Sequence, residues 1–270
     1  MHSGVIARTI VLDKLVSEYL ANNPGAIVVN IACGLDTRCY RMTGFKHWYN
    51  LDLPETIAVR EKLLPESGNI TQIAMSAMDD WGKMVEESRT PAIIIIEGLT
   101  MYLSEADVQQ IFAVIANRFD DATVLVEIMN PMIVKRFKGK SIEGSNAKFT
   151  WGIKGGKALA ALLPNFRFVE ERGLMEDMTQ FMPIYKVLDK VPAIRNISTK
   201  IITLKRLLGG KAMAFFDNTR KPTGLGGRIM VSMMNIGHRS LADWGLKYLK
   251  LNNDANVLDC GCGGGANIKR

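Results

Sequence analysis

The chain has 270 residues, enough for one large or two modest domains. Hydrophobic residues make up 47% and charged residues 23%, which excludes a chain that is disordered throughout. The formal charge of +7 is local: residues 206–270 hold ten Lys/Arg against four Asp/Glu, leaving 24 against 23 in 1–205. A near-neutral body argues against a specific nucleic-acid surface.

The amino terminus, Met1 to Arg8, has no basic region followed by a long apolar stretch, so no secretory signal is read there. The apolar run Ala92 to Ile96, like every other in the chain, stops far short of the ~20 residues a membrane span needs. Cys33, Cys39, Cys260 and Cys262 form no C-x-x-C pair and have no histidine at metal spacing. They read as reduced thiols of a cytoplasmic protein without a bound metal.

In chain order, Leu12, Leu15, Val16, Tyr19 and Leu20 recur at helical spacing and predict a helix lying on a sheet. From Ile27 to Glu127, short β-branched runs alternate with helical stretches. That pattern predicts an α/β fold with a doubly wound, mostly parallel sheet. The expected strands are Ile27–Ile31, His47–Leu51, Thr71–Ala74, Ala92–Ile96 and Thr123–Val126. Ile93 to Ile96 is apolar without alternation, as a central strand buried on both faces requires. Pro54 opens a helix to Leu64, and Ser104 with Asp107 three residues on resembles a capping box for a helix through Phe112, Val114 and Ile115.

Residues 130–205 offer a polar stretch Lys138–Lys148, a helix Ala158–Leu163 and two strands, Arg167–Glu170 and Phe181–Val187, read as the antiparallel closure of the same sheet. A boundary near Leu207–Gly210 separates a first domain, 1–205, from 206–270. The latter is expected to be mostly helical over Ile229–Lys250, with one strand at Asn256–Asp259.

The turn after the first strand, Ala32-Cys33-Gly34-Leu35-Asp36-Thr37-Arg38, is built of small residues that let backbone amides approach a ligand. Asp52 ends the next strand, 18 residues after Gly34, where an acid can accept from both hydroxyls of a ribose. Met78 and Asp79 follow the third strand, offering an apolar side chain and a carboxylate. Glu97 ends the fourth, straight after the isoleucine run. Acids at the ends of three parallel strands converge on one crevice, and a carboxylate so placed calls for a partner, a cationic ligand being one.

Gly4-Val5-Ile6-Ala7-Arg8-Thr9, Ala32 to Arg38, Asn50-Leu51-Asp52-Leu53-Pro54 and Glu97-Gly98-Leu99-Thr100-Met101-Tyr102-Leu103 together resemble the leucine carboxyl methyltransferase family, including its polyketide O-methyltransferase branch, over about residues 4–205. The resemblance implies a class I, Rossmann-like methyltransferase fold and S-adenosyl-L-methionine as cofactor. Carried over by position, Arg8 would meet the methionine carboxylate, Gly34 with Ala32 and Cys33 would line the methionine moiety, Asp52 with Leu53 would hold the ribose, Met78 and Asp79 the adenine, and Glu97 would stand near the amino group. The departure is Ala32, where the family usually has glycine.

The expected reaction is O-methylation of a carboxylate, or a hydroxyl, of a small molecule or peptide. A carboxylate is already ionised at neutral pH and needs no general base, and none of His2, His47 and His238 stands at a strand's carboxyl end. No catalytic residue is therefore assigned. Tyr102 and Arg38 are the substrate-facing candidates, with packing under a helix the alternative for Tyr102 and an ion pair with Asp36 or a helix-end role the alternative for Arg38. Two other classes fit the same sheet. A nicotinamide-dependent oxidoreductase leaves Glu97 and Asp79 without purpose, and a non-catalytic binding protein predicts cofactor uptake without turnover.

A second glycine-rich turn, Val257-Leu258-Asp259-Cys260-Gly261-Cys262-Gly263-Gly264-Gly265, resembles the first motif of the broad class I methyltransferases and also fits G-x-G-x-x-A with Ala266. It lacks the second strand and ribose acid that would complete it. Residues 206–270 are thus expected to be the truncated start of a second methyltransferase-like domain, or else an accessory segment.

Overall fold

The computed structural model describes residues 2–64, 67–85, 90–137, 147–173 and 199–207. Seven strands form one sheet in the order β3-β2-β1-β4-β5-β7-β6. They are β1 Ala26–Ile31, β2 Phe45–Asp52, β3 Ile70–Ala74, β4 Ala92–Ile96, β5 Ala122–Ile128, β6 Phe166–Gly173 and β7 Lys200–Arg206. The first five pair in parallel, and β7 runs antiparallel to both β5 and β6. The doubly wound sheet expected from the alternating pattern is present.

The chain walks outward from β1 through β2 to β3, then returns to place β4 on the other side of β1. Ile31 lies level with Leu51 on one side and with Ile96 on the other, so the segments leaving β1, β2 and β4 emerge together. This reversal of strand order opens a crevice at the carboxyl ends of β1 and β4, the place where open α/β sheets bind ligands.

Helix α1, His2–Asn22, is ten residues longer at its start than the stripe from Leu12 predicts. Ala7 and Val11 extend the buried face that Leu12, Leu15, Val16 and Leu20 continue. That face packs with Val28, Trp48, Ile93, Ile95 and Leu125 on one side of the sheet. The alternate residues Ile27, Val29, Ile94 and Ile96 meet Ile111, Phe112 and Ile115 of α4, Glu105–Arg118, on the other. Burying both faces explains why β4 reads as an unbroken isoleucine run.

The predicted capping box forms. Ser104 Oγ accepts from the Asp107 amide at 3.2 Å, and Asp107 Oδ2 accepts from the Ser104 amide at 2.9 Å. Such caps contribute about 1 kcal/mol. The remaining helices are α2 Arg38–Arg41, α3 Pro54–Leu63, α5 Pro131–Phe137 and α6 Gly156–Leu162. Periodicity did not single out the short helices α2 and α5 or strand β7. Its Ile201, Ile202 and Leu204 are fully buried between β5 and β6, but lysines and arginine at its ends disguise the run. The strand expected at Phe181–Val187, the helix and strand expected in 229–259, and the second glycine-rich turn all lie outside the described residues. No described helix is long and apolar enough to cross a membrane.

Candidate functional site

The turn leaving β1 is held in an unusual backbone conformation. Ala32 has φ +53° and Gly34 φ +50°, both left-handed. Glycine adopts that region freely, whereas alanine is penalised by roughly 1–2 kcal/mol. Ala32 therefore stores strain at the site. We predict that Ala32→Gly raises stability by about 0.5–1 kcal/mol, the relief exceeding the added entropy of an unfolded glycine. Urea denaturation measures this, and an unchanged or lower midpoint would refute it.

Gly34 is fixed from both sides. Its amide donates to Asp52 Oδ2 at 2.8 Å, and its carbonyl accepts from Arg60 Nη1 at 2.9 Å. Asp52 also accepts from the Leu53 amide through Oδ1 at 2.7 Å, so the acid ending β2 is aligned by two backbone donors. Nothing stands within 4 Å of where a Cβ on Gly34 would lie. The turn therefore keeps an open approach on that side.

Facing the turn is a chain of ion pairs. Arg8, on α1, meets Glu97 at 2.5 Å and Glu127 at 3.1 Å. Arg38, only 2% exposed, meets Glu97 at 2.6 Å, Asp36 at 2.7 Å and Asp13 of α1 at 2.6 Å. Arg41 adds a second contact to Asp13 at 2.9 Å, and Asn30 of β1 donates to Asp36 at 2.8 Å. Both arginines are held further into the charged state: burial opposes this, but Glu127 and Glu97 prevail at Arg8, as do Asp36 and Glu97 at Arg38.

Glu127 comes from β5 and is buried. Its Oε2 accepts from the Gly98 amide at 2.6 Å, which Gly98 presents by taking φ +66°. Burial lifts its carboxyl above the ordinary glutamate range. Arg8 and the Gly98 amide oppose that rise, and Glu97 adds to it. A carboxyl raised in the folded state binds its proton more tightly there than in the unfolded chain, so its contribution to stability is fullest below about 4.5, the unshifted value, and is lost as pH climbs through the raised one. Against Glu127→Gln, which has no such titration, the natural protein should lose relative stability as pH rises from about 4.5. Parallel stability–pH curves in urea unfolding would refute this.

These groups surround a cavity of about 440 Å³ whose wall includes Arg8, Ala32, Cys33, Gly34, Arg38 and Glu97. Asp52 reaches it through the Gly34 amide. Leu53, Met78, Asp79 and Tyr102 are not in its wall. Leu53 is 52% and Met78 37% exposed along the same edge of the sheet. Asp79 accepts from the Ser76 amide at 3.2 Å, and the Met78 carbonyl accepts from Gln110 of α4 at 3.3 Å, which ties the loop after β3 to that helix. Burial, with Asp52 and Asp36 nearby, pushes the Cys33 thiol up to about 12 despite Arg60, so it stays protonated at neutral pH.

Arg38, a substrate-facing candidate, stands in the cavity wall, and its guanidinium is paired with three carboxylates, Asp36 among them. Tyr102 is half-buried and stacks on Phe149, which lies outside any helix, with ring centroids 5.4 Å apart. Burial and Glu127 raise its phenol. Glu127 was overlooked in the sequence, although an acid within Val124-Leu125-Val126-Glu127-Ile128 gives the same signal that marked Glu97.

Residues 1–116 match the family model described as leucine carboxyl methyltransferase. The tetracenomycin polyketide synthesis O-methyltransferase TcmP of Streptomyces glaucescens is 31% identical over 169 residues, which cover 61% of this chain and 62% of that protein. The S-adenosyl-L-methionine-dependent methyltransferase dpfgK of Gibberella zeae is 26% identical over 192 residues, 65% of this chain and 64% of its own length. The chain thus spans less than two thirds of either relative. A solved structure from Thermobifida fusca, provisionally named a methyltransferase, superposes with a TM-score of 0.56 at 13% identity, covering 76% of this chain and 82% of that one. At that identity the likeness concerns the fold, which agrees with the doubly wound sheet.

Proposed function

We propose that this chain, whose first 116 residues carry the leucine carboxyl methyltransferase pattern, is an S-adenosyl-L-methionine-dependent O-methyltransferase acting on a carboxylate or hydroxyl of a small molecule or peptide. The observation that carries this reading is the pairing, at the sheet's reversal point, of a left-handed turn gripped by Asp52 with the Arg8–Glu97 ion pair. Relatives named for the same cofactor and for O-methyl transfer support it.

The donor set suits this ligand. Five carboxylates (Asp13, Asp36, Asp52, Glu97 and Glu127) stand with four guanidiniums (Arg8, Arg38, Arg41 and Arg60) around the turn, one negative charge in excess. A ligand carrying a sulfonium, an ammonium and a carboxylate brings one positive charge in excess. In this reading Arg8 receives the carboxylate and Glu97 the amino group, Gly34 with Ala32 and Cys33 lines the chain between, Asp52 with Leu53 takes the ribose, and Met78 with Asp79 takes the adenine.

The bound cofactor supplies an electrophilic methyl group. The protein's part is positional: Arg8 and Asp52 fix two ends of the ligand, and the apolar sheet beneath limits water. Cys33 stays protonated and Arg8 and Arg38 stay charged, so none of the three offers itself as a general base, and an acceptor already ionised would need none. A cytoplasmic setting fits Cys33 and Cys39, both free thiols.

Calorimetry with S-adenosyl-L-methionine and with NAD tests the cofactor. Uptake of the first and not the second is expected, and the reverse would sink the reading. A panel of carboxylic acids and phenols then tests the acceptor, with turnover confined to phenols and rising toward pH 10 counting against carboxylate transfer.

A further inference from the structure

The buried face of α3 contains one apolar residue, Ile57, and then, three positions on, an arginine. Arg60 is 0% exposed. Among the described residues no carboxylate lies within ion-pair distance of it, and its Nε has no acceptor. Its partners are the Gly34 carbonyl at 2.9 Å and the Cys39 sulfur at 3.4 Å. Sequestering a guanidinium without a counter-ion is costly, and an apolar side chain at this helical position would avoid that cost. The fold therefore retains a charge whose single short bond goes to the left-handed glycine of the turn.

We infer that Arg60 is a positioning residue for the cofactor turn. It holds the carbonyl of Gly34 while Asp52 holds the amide of the same residue, so the two flanking peptide planes are set before any ligand arrives. A bond from a charged donor is stronger than one between neutral groups, and it polarises the peptide it grips, that joining Gly34 to Leu35. Leu35 lines the cavity. The inference rests on the methyltransferase reading for the identity of the ligand, but not for the grip on the turn.

The test compares Arg60→Met, which keeps the stem and removes the donors, with Arg60→Lys, which keeps a charged donor, and with Ile57→Ala as a control on the same buried face. Two readouts are taken: the amide NMR signal of Leu35, whose nitrogen shares a peptide with the Gly34 carbonyl, and the Kd for S-adenosyl-L-methionine. Arg60→Met should displace the Leu35 signal and weaken binding about tenfold, the scale of one lost charged hydrogen bond. Arg60→Lys should recover part of both, and Ile57→Ala should lower Tm while moving neither. If Arg60→Met does not fold, Arg60→Lys against the natural protein carries the same comparison. An unmoved Leu35 signal overturns the inference, as does a binding loss matched by Ile57→Ala. Failure of the natural protein to bind the cofactor would instead overturn the methyltransferase reading, while the Leu35 signal still decides whether Arg60 grips the turn.

Discussion

Replacing Arg38 by methionine is expected to destabilise the fold by about 3–5 kcal/mol, the usual cost of removing one partner from a buried charge network. The geometry favours the upper part of that range. Arg38 joins Asp13 of α1, Asp36 of the β1 turn and Glu97 at the end of β4, so its loss leaves three carboxylates facing one another. Arg41 remains on Asp13, and Arg8 on Glu97, but Arg8 is shared with Glu127. Thermal unfolding of Arg38→Met beside the natural protein measures this loss. A loss below about 1 kcal/mol, typical of exposed pairs, would mean that the network is screened by solvent and does not hold α1 to the sheet.

Asp52→Ala is expected to weaken cofactor binding by about 100-fold or more. Two effects act in the same direction. The substitution removes the acceptor proposed for the ribose, and it releases the amides of Gly34 and Leu53, each bonded to a separate oxygen of the carboxylate. A hydrogen bond to a charged group contributes about 1.5–3 kcal/mol, and each 1.4 kcal/mol is tenfold in Kd. Asp52→Asn separates the two effects, since its carbonyl oxygen can serve one amide while its NH2 group opposes the other, and it should fall between. Calorimetry against S-adenosyl-L-methionine provides the readout. A loss under fivefold in Asp52→Ala would remove Asp52 from the site.

The two expectations meet at the turn between β1 and α2. Arg38 anchors its carboxyl end and Asp52 its middle, while Ala32 at its start takes a conformation that alanine disfavours. Strain at one end and ion pairs at the other are how a short loop is kept in a single shape before a ligand is present.

Much of this was legible in the residues. The strands from β1 to β5 followed from apolar runs, the doubly wound order from their alternation with helices, and the capping box of α4 from Ser104 and Asp107. The acids at Asp52 and Glu97 marked the strand ends that open on the crevice. Each of these signals is local: periodicity, a cap or a turn is decided within a few residues, where the chain's own geometry dictates the outcome.

Tertiary structure decided the partnerships. Arg8 and Glu127 lie 119 positions apart and meet because α1 crosses the sheet where β4 and β5 end. Arg38 had an obvious neighbour in Asp36, but its contacts to Asp13 and Glu97 required the helix and the fourth strand to arrive at the same point. Likewise, Arg60 reads in the sequence as an ordinary helix arginine, and only packing of α3 beneath the turn makes it the donor to Gly34. Sequence determined which residues stand at the carboxyl edge of the sheet. Which of them are paired, withdrawn from solvent or held open for a ligand was settled by strand order and helix docking, because an ion pair depends on distance through space and leaves no period along the chain.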